Sequence, residues 1–293
     1  MSFLSYLING ISLGSVYAII ALGYTMVYGI AKMLNFAHGD VIMVGAFAAF
    51  TVISTMGGNP IVGILVAVVV CTVLGVVIER VAYRPLRGAS PLAVLITAIG
   101  VSYLLQNVAL LIFGSNSRQF TSVIDIPPLK LAGGQLSISS VTIVTIISSI
   151  VIMAVLTAFI NKTKMGQAML AVSEDRGAAT LMGIDVNRPI AVTFAIGSAL
   201  AAIAGVLLCS AYPSLTPYTG SMPGIKAFVA AVFGGIGSIP GAMIGGIILG
   251  IIENLSKAYI SSQLADAIVF SVLIIVLLGR PTGILGKKIQ EKV

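Results

Sequence analysis

Apolar positions in this chain neither alternate with polar ones nor recur on a single helical stripe; they continue in runs of about twenty residues. The runs fall near residues 4–29, 36–56, 60–79, 91–113, 139–160, 189–211, 240–258 and 264–279. A helix of such length reaches across about 30 Å of hydrocarbon. The pattern predicts an all-α polytopic membrane protein with about eight transmembrane helices, residues 1–293 forming one transmembrane domain. A further apolar piece, "GIKAFVAAVFGGIGS" at 224–238, is short and interrupted by Gly234, Gly235 and Gly237, so it is expected as a broken half-helix. The first run is too long for a signal-peptide core of about 7–15 residues and no basic residue precedes it, so it is expected to stay as the first helix.

Composition agrees: 58% of residues are hydrophobic, 9% are charged, and mean hydropathy is +1.12, against about 45–50% apolar in soluble domains. The net charge of +7 does not point to nucleic acid, because no basic cluster with interleaved aromatics occurs. It sets topology instead. Lys32, Arg80, Arg84, Arg87, Lys162, Lys164, Arg176, Arg188, Arg280, Lys287, Lys288 and Lys292 are 12 of the 16 basic residues; Arg118, Lys130, Lys226 and Lys257 remain. All twelve share one face only if the 224–238 piece carries the chain across or nearly so. That face is expected to be cytoplasmic, with the C-terminus on it and a coupling loop at about 161–188. The N-terminus and the loop at about 114–137 are then expected outside. Cys71 and Cys209 lie within apolar runs and imply no disulfide.

The halves show a faint likeness, "VLGVVIERV" at 73–81 against "ILGIIENLS" at 248–256. By the topological count they run in opposite directions, as in an inverted repeat. Two similar Gly-, Leu- and Ile-rich helices explain the match equally well.

The polar stretch "AVSEDRGAATLMGI" at 171–184 interrupts this apolar chain. Ser173 is placed to cap a helix, Glu174 and Asp175 to put negative charge at its positive end, and Gly183 to terminate it. So short a helix is marginal alone. With Arg176 beside the acidic pair and an apolar face of Ala178, Ala179, Leu181 and Met182, it reads as a plug for a partner's groove; a solvated loop is the plainer reading. Gly177-Ala178-Ala179, three residues and Gly183 resemble the Glu-Ala-Ala loop of ABC-importer permeases. Gly177 replaces the Glu, and the later Ile-x-Leu-Pro is absent.

More specific are "GSVYAIIALGYTMVYGIAKMLNFAHGD", "AVSEDRGAATLMGID", "AFVAAVFGGIGSIPGAMIGG" and "GRPTGILG". Together, in order over nearly the whole chain, they resemble the LivH-type permease of branched-chain amino-acid ABC importers. The resemblance implies a bacterial inner-membrane subunit that carries Leu, Ile or Val. Its implied partners are a second, homologous permease, two cytoplasmic ATPases and a periplasmic binding protein. No residue names the substrate, so urea or amide importers with similar permeases remain open.

The chain has no phosphate-cradling G-x-x-x-x-G-K-[ST] motif, a single His and no metal-spaced cluster, so neither ATP hydrolysis, a cofactor nor another enzymatic reaction is expected of it. The alternative of a stand-alone channel or ion-coupled transporter would need a charged mid-membrane site, and the sequence offers none beyond residues at the ends of spans. Asn35, His38 and Asp40, at the start of the second run, are candidates for a pathway or for interfacial anchoring. Gly234, Gly235 and Gly237 are the candidate pore lining, because broken backbone at membrane depth needs a protein or water cover. Gly237, Gly241 and Gly245, then Gly246 and Gly250, and Gly10 with Gly14 recur at close-packing spacing. Glu253 with Lys257 reads as a local i,i+4 pair, Glu79 with Arg80 as a local interfacial pair, and Lys226 as a snorkelling anchor.

Overall fold

A computed structural model describes residues 2–131 and 136–286 of the chain. Lys287, Lys288 and Lys292, three of the twelve basic residues counted above, lie outside the described residues.

Eleven helices follow one another among the described residues: α1 Ser2–Ala31, α2 His38–Phe50, α3 Pro60–Ile78, α4 Pro91–Phe113, α5 Ser140–Lys162, α6 Lys164–Glu174, α7 Arg176–Leu181, α8 Asn187–Ala211, α9 Ser221–Gly234, α10 Ile239–Tyr259 and α11 Ala265–Gly279. A π-helical turn, Thr51–Thr55, extends α2, and another, Glu79–Tyr83, extends α3. Seven helical stretches are long and apolar enough to cross a membrane; α9 and α11 are shorter apolar helices. The eight expected spans thus correspond to these seven and α11, which has 15 residues.

Burial sorts the helices. About two thirds of the α8 window is buried, against 11% for α4, so α8 lies inside the bundle while α4 presents most of its apolar surface outward. The axis of the fold is the pair α1–α10. A Cβ on Gly14 would meet the Ile247 backbone at 2.7 Å, and one on Gly10 would meet Ile251 at 2.9 Å. The contacts run in opposite directions along the two helices, which are therefore antiparallel. Glycine is required here because the backbones approach more closely than a methyl group allows.

One end of the bundle is reached near Gly29, beside Gly237; the other carries an edge-to-face pair, Tyr6 with Tyr259. Arg176 on α7 donates to the carbonyl of Ala31, and Arg87 donates to Asn187 at the start of α8. These contacts place both arginines at the Gly29 end, here called the basic face. Short strands lie toward the far end, where β1, Arg118–Gln119, pairs with β4, Ser214–Leu215, just after α8. β2, Leu129–Leu131, pairs with β3, Leu136–Ile138.

Two helices begin inside the bundle. His38 packs on Gly23, about 12 Å up α1 from its Ala31 end at 1.5 Å per residue. The segment between Ala31 and His38 therefore folds back inward before α2 starts. α9 begins about 20 Å from its Gly234 end and runs to the basic face, since Gly234 and Gly245 pack together and Gly237 lies by Gly29. Near those inner starts, Gly39 touches Gly220 and Gly224, so the N-termini of α2 and α9 meet in the interior.

Candidate functional site

Asp40 and Gln106 form the centre of the polar interior. Asp40 lies in the first turn of α2, where a negative charge is favoured by the helix dipole. The Gln106 amide of α4 donates to Asp40 Oδ1 at 2.9 Å, to Ser221 Oγ at 3.3 Å and to Ser102 Oγ at 3.4 Å. One side chain thus links α4 to the starts of both α2 and α9. Asp40 is buried, and among the described residues it has no ion-pair partner.

The three pathway candidates separate. Asn35 accepts from the Tyr83 hydroxyl at 3.0 Å, and Tyr83 packs on Phe194. His38 lies 4.6 Å, centroid to centroid, from the Tyr24 ring; its buried Nε2 has no hydrogen-bond partner among the described residues. Only Asp40 reaches Gln106 and Ser221. All three are buried, and His38 and Asp40 sit well inside the bundle.

The glycine break forms as expected, with φ of +108° at Gly235 and +92° at Gly237, values that glycine tolerates best. The backbone beside it is closely packed. A Cβ on Gly234 would strike the Gly241 carbonyl, and one on Gly235 would strike Gly286. The C-terminal turn docks on the break: Ile284 N–H donates to the Phe233 carbonyl and Leu285 N–H to that of Gly234, both at 2.9 Å. Gly234 and Gly235 are accordingly packed closely, Gly234 on Gly241 and Gly235 on the C-terminal turn. Gly237 meets only the Gly29 Cα, at 4.0 Å.

Three other charged residues sit differently from their sequence reading. Lys226 does not snorkel: it is 5% exposed, 2.8 Å from Glu253 Oε1 and 2.6 Å from Asp266. Glu253 does pair with Lys257, at 2.5 Å, but is 1% exposed and also accepts from the Tyr17 hydroxyl at 2.8 Å. It ties α1, α9 and α10 together. Glu79 pairs with Arg87 rather than acting with Arg80 at an interface.

The polar stretch folds as two helices, not one. Asp175, at φ −155°, separates α6 from α7, and its side chain caps α7 by accepting from Ala178 N–H at 3.0 Å. Ser173 is not a cap: it sits in the last turn of α6 and donates to the Leu170 carbonyl. Asp175 wins because it stands at the break, where free amides follow. Glu174 ends α6 instead of starting a helix. Gly183, at φ +81°, closes α7 as expected, with Gly183 N–H to Thr180 and Ile184 N–H to Ala179, the double bond pattern of a Schellman end. Ala179 is buried within the chain; Ala178 is exposed, and Leu181 and Met182 stand 89% and 83% exposed. Of the expected apolar face, Ala178, Leu181 and Met182 are therefore the exposed members.

Over residues 6–278 the sequence matches the family described as branched-chain amino acid transport system / permease component. The chain belongs to this family. The high-affinity branched-chain amino acid transport system permease protein LivH of Salmonella typhimurium is 47% identical over 301 residues, 99% of this chain and 98% of that one. LivH of Escherichia coli K12 is 48% identical with the same coverage. BraD of Pseudomonas aeruginosa is 44% identical over 304 residues, again 99% and 98%. The resemblance carried by the quoted motifs therefore holds over nearly the whole chain, and these relatives are permease proteins of transport systems. Gln106 and Ser221 went unnoticed in the sequence, although an amide within the 23-residue apolar run of α4 was a visible signal.

Proposed function

We propose that this permease is the membrane subunit of an ABC importer that carries Leu, Ile or Val inward, driven by ATPases that it does not itself contain. The full-length identity of 47–48% to two LivH permeases carries the reading. The pathway passes the junction of Asp40, Gln106 and Ser221, where the N-termini of α2 and α9 meet. Their positive ends favour the substrate carboxylate and Asp40 its ammonium.

The basic face is cytoplasmic, with the C-terminus on it and the N-terminus outside. Residues 161–188 form the coupling loop, and α7 inserts Ala178, Leu181 and Met182 into an ATPase groove. The working assembly holds a second homologous permease, two ATPases and a periplasmic binding protein. Exposed Leu181 and Met182 at the tip of a tied-down helix support the coupling role, since large apolar side chains at a tip favour burial in a partner. The test is uptake of labelled leucine by proteoliposomes holding the purified assembly, with ATP inside and binding protein outside. Uptake that needs ATP and leucine-loaded binding protein is expected; ATP-independent flux by the permease alone would instead support a channel or ion-coupled carrier.

A further inference from the structure

At the basic face the structure contains a cavity of about 420 Å³ that the transport reading leaves unused. It opens where α1 ends and α4 begins, and its lining includes Lys32, Arg87 and Arg176 beside Leu86 and Val94. Three cations converge from three parts of the chain: the end of α1, the turn before α4, and α7.

The charges are incompletely neutralised. Glu79 pairs with Arg87, but among the described residues Lys32 and Arg176 have no carboxylate partner. The Nε–H of Arg87 is buried without a hydrogen-bond acceptor, an omission that ordinarily costs stability unless something accepts it. Burial, and then the nearby Arg87 charge, hold the Arg176 guanidinium below the usual arginine range. Lys32 sits at φ +53°, among the described residues the one side-chain-bearing position with positive φ. Glycine would be easier there.

We propose that this cavity binds the phosphodiester headgroup of an anionic phospholipid, with Lys32, Arg87 and Arg176 as its ligands. Phosphate oxygens suit guanidinium donors, which hold them through paired charge-assisted hydrogen bonds. A lipid source is favoured over free phosphate because apolar Leu86 and Val94 share the cavity. The adjoining α4 also turns Leu92 and Ile96 outward, at 64% and 61% exposure, which offers acyl chains an apolar track. Basic pockets between helices at the membrane surface are suited to such headgroups.

Native mass spectrometry of the full chain with its co-purified partners tests this, titrating phosphatidylglycerol or phosphatidylcholine into mild detergent, with inorganic phosphate as a separate arm followed by thermal unfolding. Wild type is expected to retain one phosphatidylglycerol per permease chain and to release phosphatidylcholine. Lys32→Gly removes the ammonium while suiting the backbone turn, so it should keep or raise Tm yet bind phosphatidylglycerol on the order of tenfold more weakly. Arg176→Gln should weaken it similarly. Equal retention of the two lipids by wild type, or undiminished phosphatidylglycerol retention by both variants, overturns the site. Stabilisation by millimolar phosphate with no lipid preference overturns the lipid headgroup in favour of a free anion.

Discussion

The Lys226 ammonium lies 2.8 Å from Oε1 of Glu253, binding α9 to α10 through charges buried among apolar helices. Breaking a buried pair by removing one partner costs about 3–5 kcal/mol. Glu253 keeps Lys257 and Tyr17 after Lys226→Met, so that variant is expected toward the low end. Glu253→Leu leaves Lys226 with the partly exposed Asp266. The double variant should be more stable than the sum of the single losses, which thermal unfolding in detergent can establish; additive losses would show that the residues do not act as a pair.

At the junction, Asp40→Asn keeps the shape of the side chain and can still bond to Gln106, but removes its charge. Leucine uptake should fall at least tenfold while the assembly purifies intact. Gln106→Leu should also impair uptake, since it leaves Asp40 buried with a lost donor, at about 1–3 kcal/mol. Unchanged uptake by Asp40→Asn would remove the carboxylate from the pathway.

The break after α9 distinguishes two neighbouring glycines. Gly235→Ala meets both a positive φ and the Gly286 backbone, whereas Gly237→Ala meets the φ alone. Strain of this kind is about 1–3 kcal/mol per residue, so Gly235→Ala should lower Tm more and should expose the chain near Arg280 to protease. Equal effects would mean that the C-terminal turn does not rest on Gly235.

For the coupling loop, Ala178→Trp should abolish ATPase co-purification without affecting insertion, because residue 178 is exposed. Asp175→Ala removes the cap of α7 and should weaken it by about 0.5–2 kcal/mol, reducing ATP-driven uptake. Ser173→Ala should do neither. An Ala178→Trp permease with its ATPases still bound would contradict the docking surface.

Topology is measured by an impermeant thiol reagent. Cys71 and Cys209 are buried, so the native background should be low. A Cys at Ser122 is expected to react from outside and one at Thr163 to be shielded; reversed labelling would place α7 on the wrong side for an ATPase.

Much of the bundle was legible because an apolar run of twenty residues has few alternatives to a membrane helix. Gly10, Gly14, Gly246 and Gly250 likewise announced a close crossing by their spacing. Pairings distant in sequence were hidden. Glu253 and Lys257 invited a local reading, and that bond is real, but nothing in their spacing signals Lys226 or Tyr17. The cap moved from Ser173 to Asp175 because both residue types can cap, and the break that decides between them depends on how α6 and α7 pack. The inward fold between Ala31 and His38 was invisible for a similar reason: Asn35 to Asp40 follow a basic residue and look interfacial until α1, α8 and α9 surround them.

The partnership of α1 with α10 also sets an order of events during synthesis. From Ala31 to Ile239 the ribosome must add about 200 residues, which at about 5–20 residues per second takes on the order of 10–40 s. Throughout that interval the glycine face of α1 lacks its mate and the Tyr17 hydroxyl lacks its carboxylate acceptor. The first helix must therefore wait in lipid or beside an insertion chaperone, and any chain that terminates before Ile239 leaves that face open to membrane quality control.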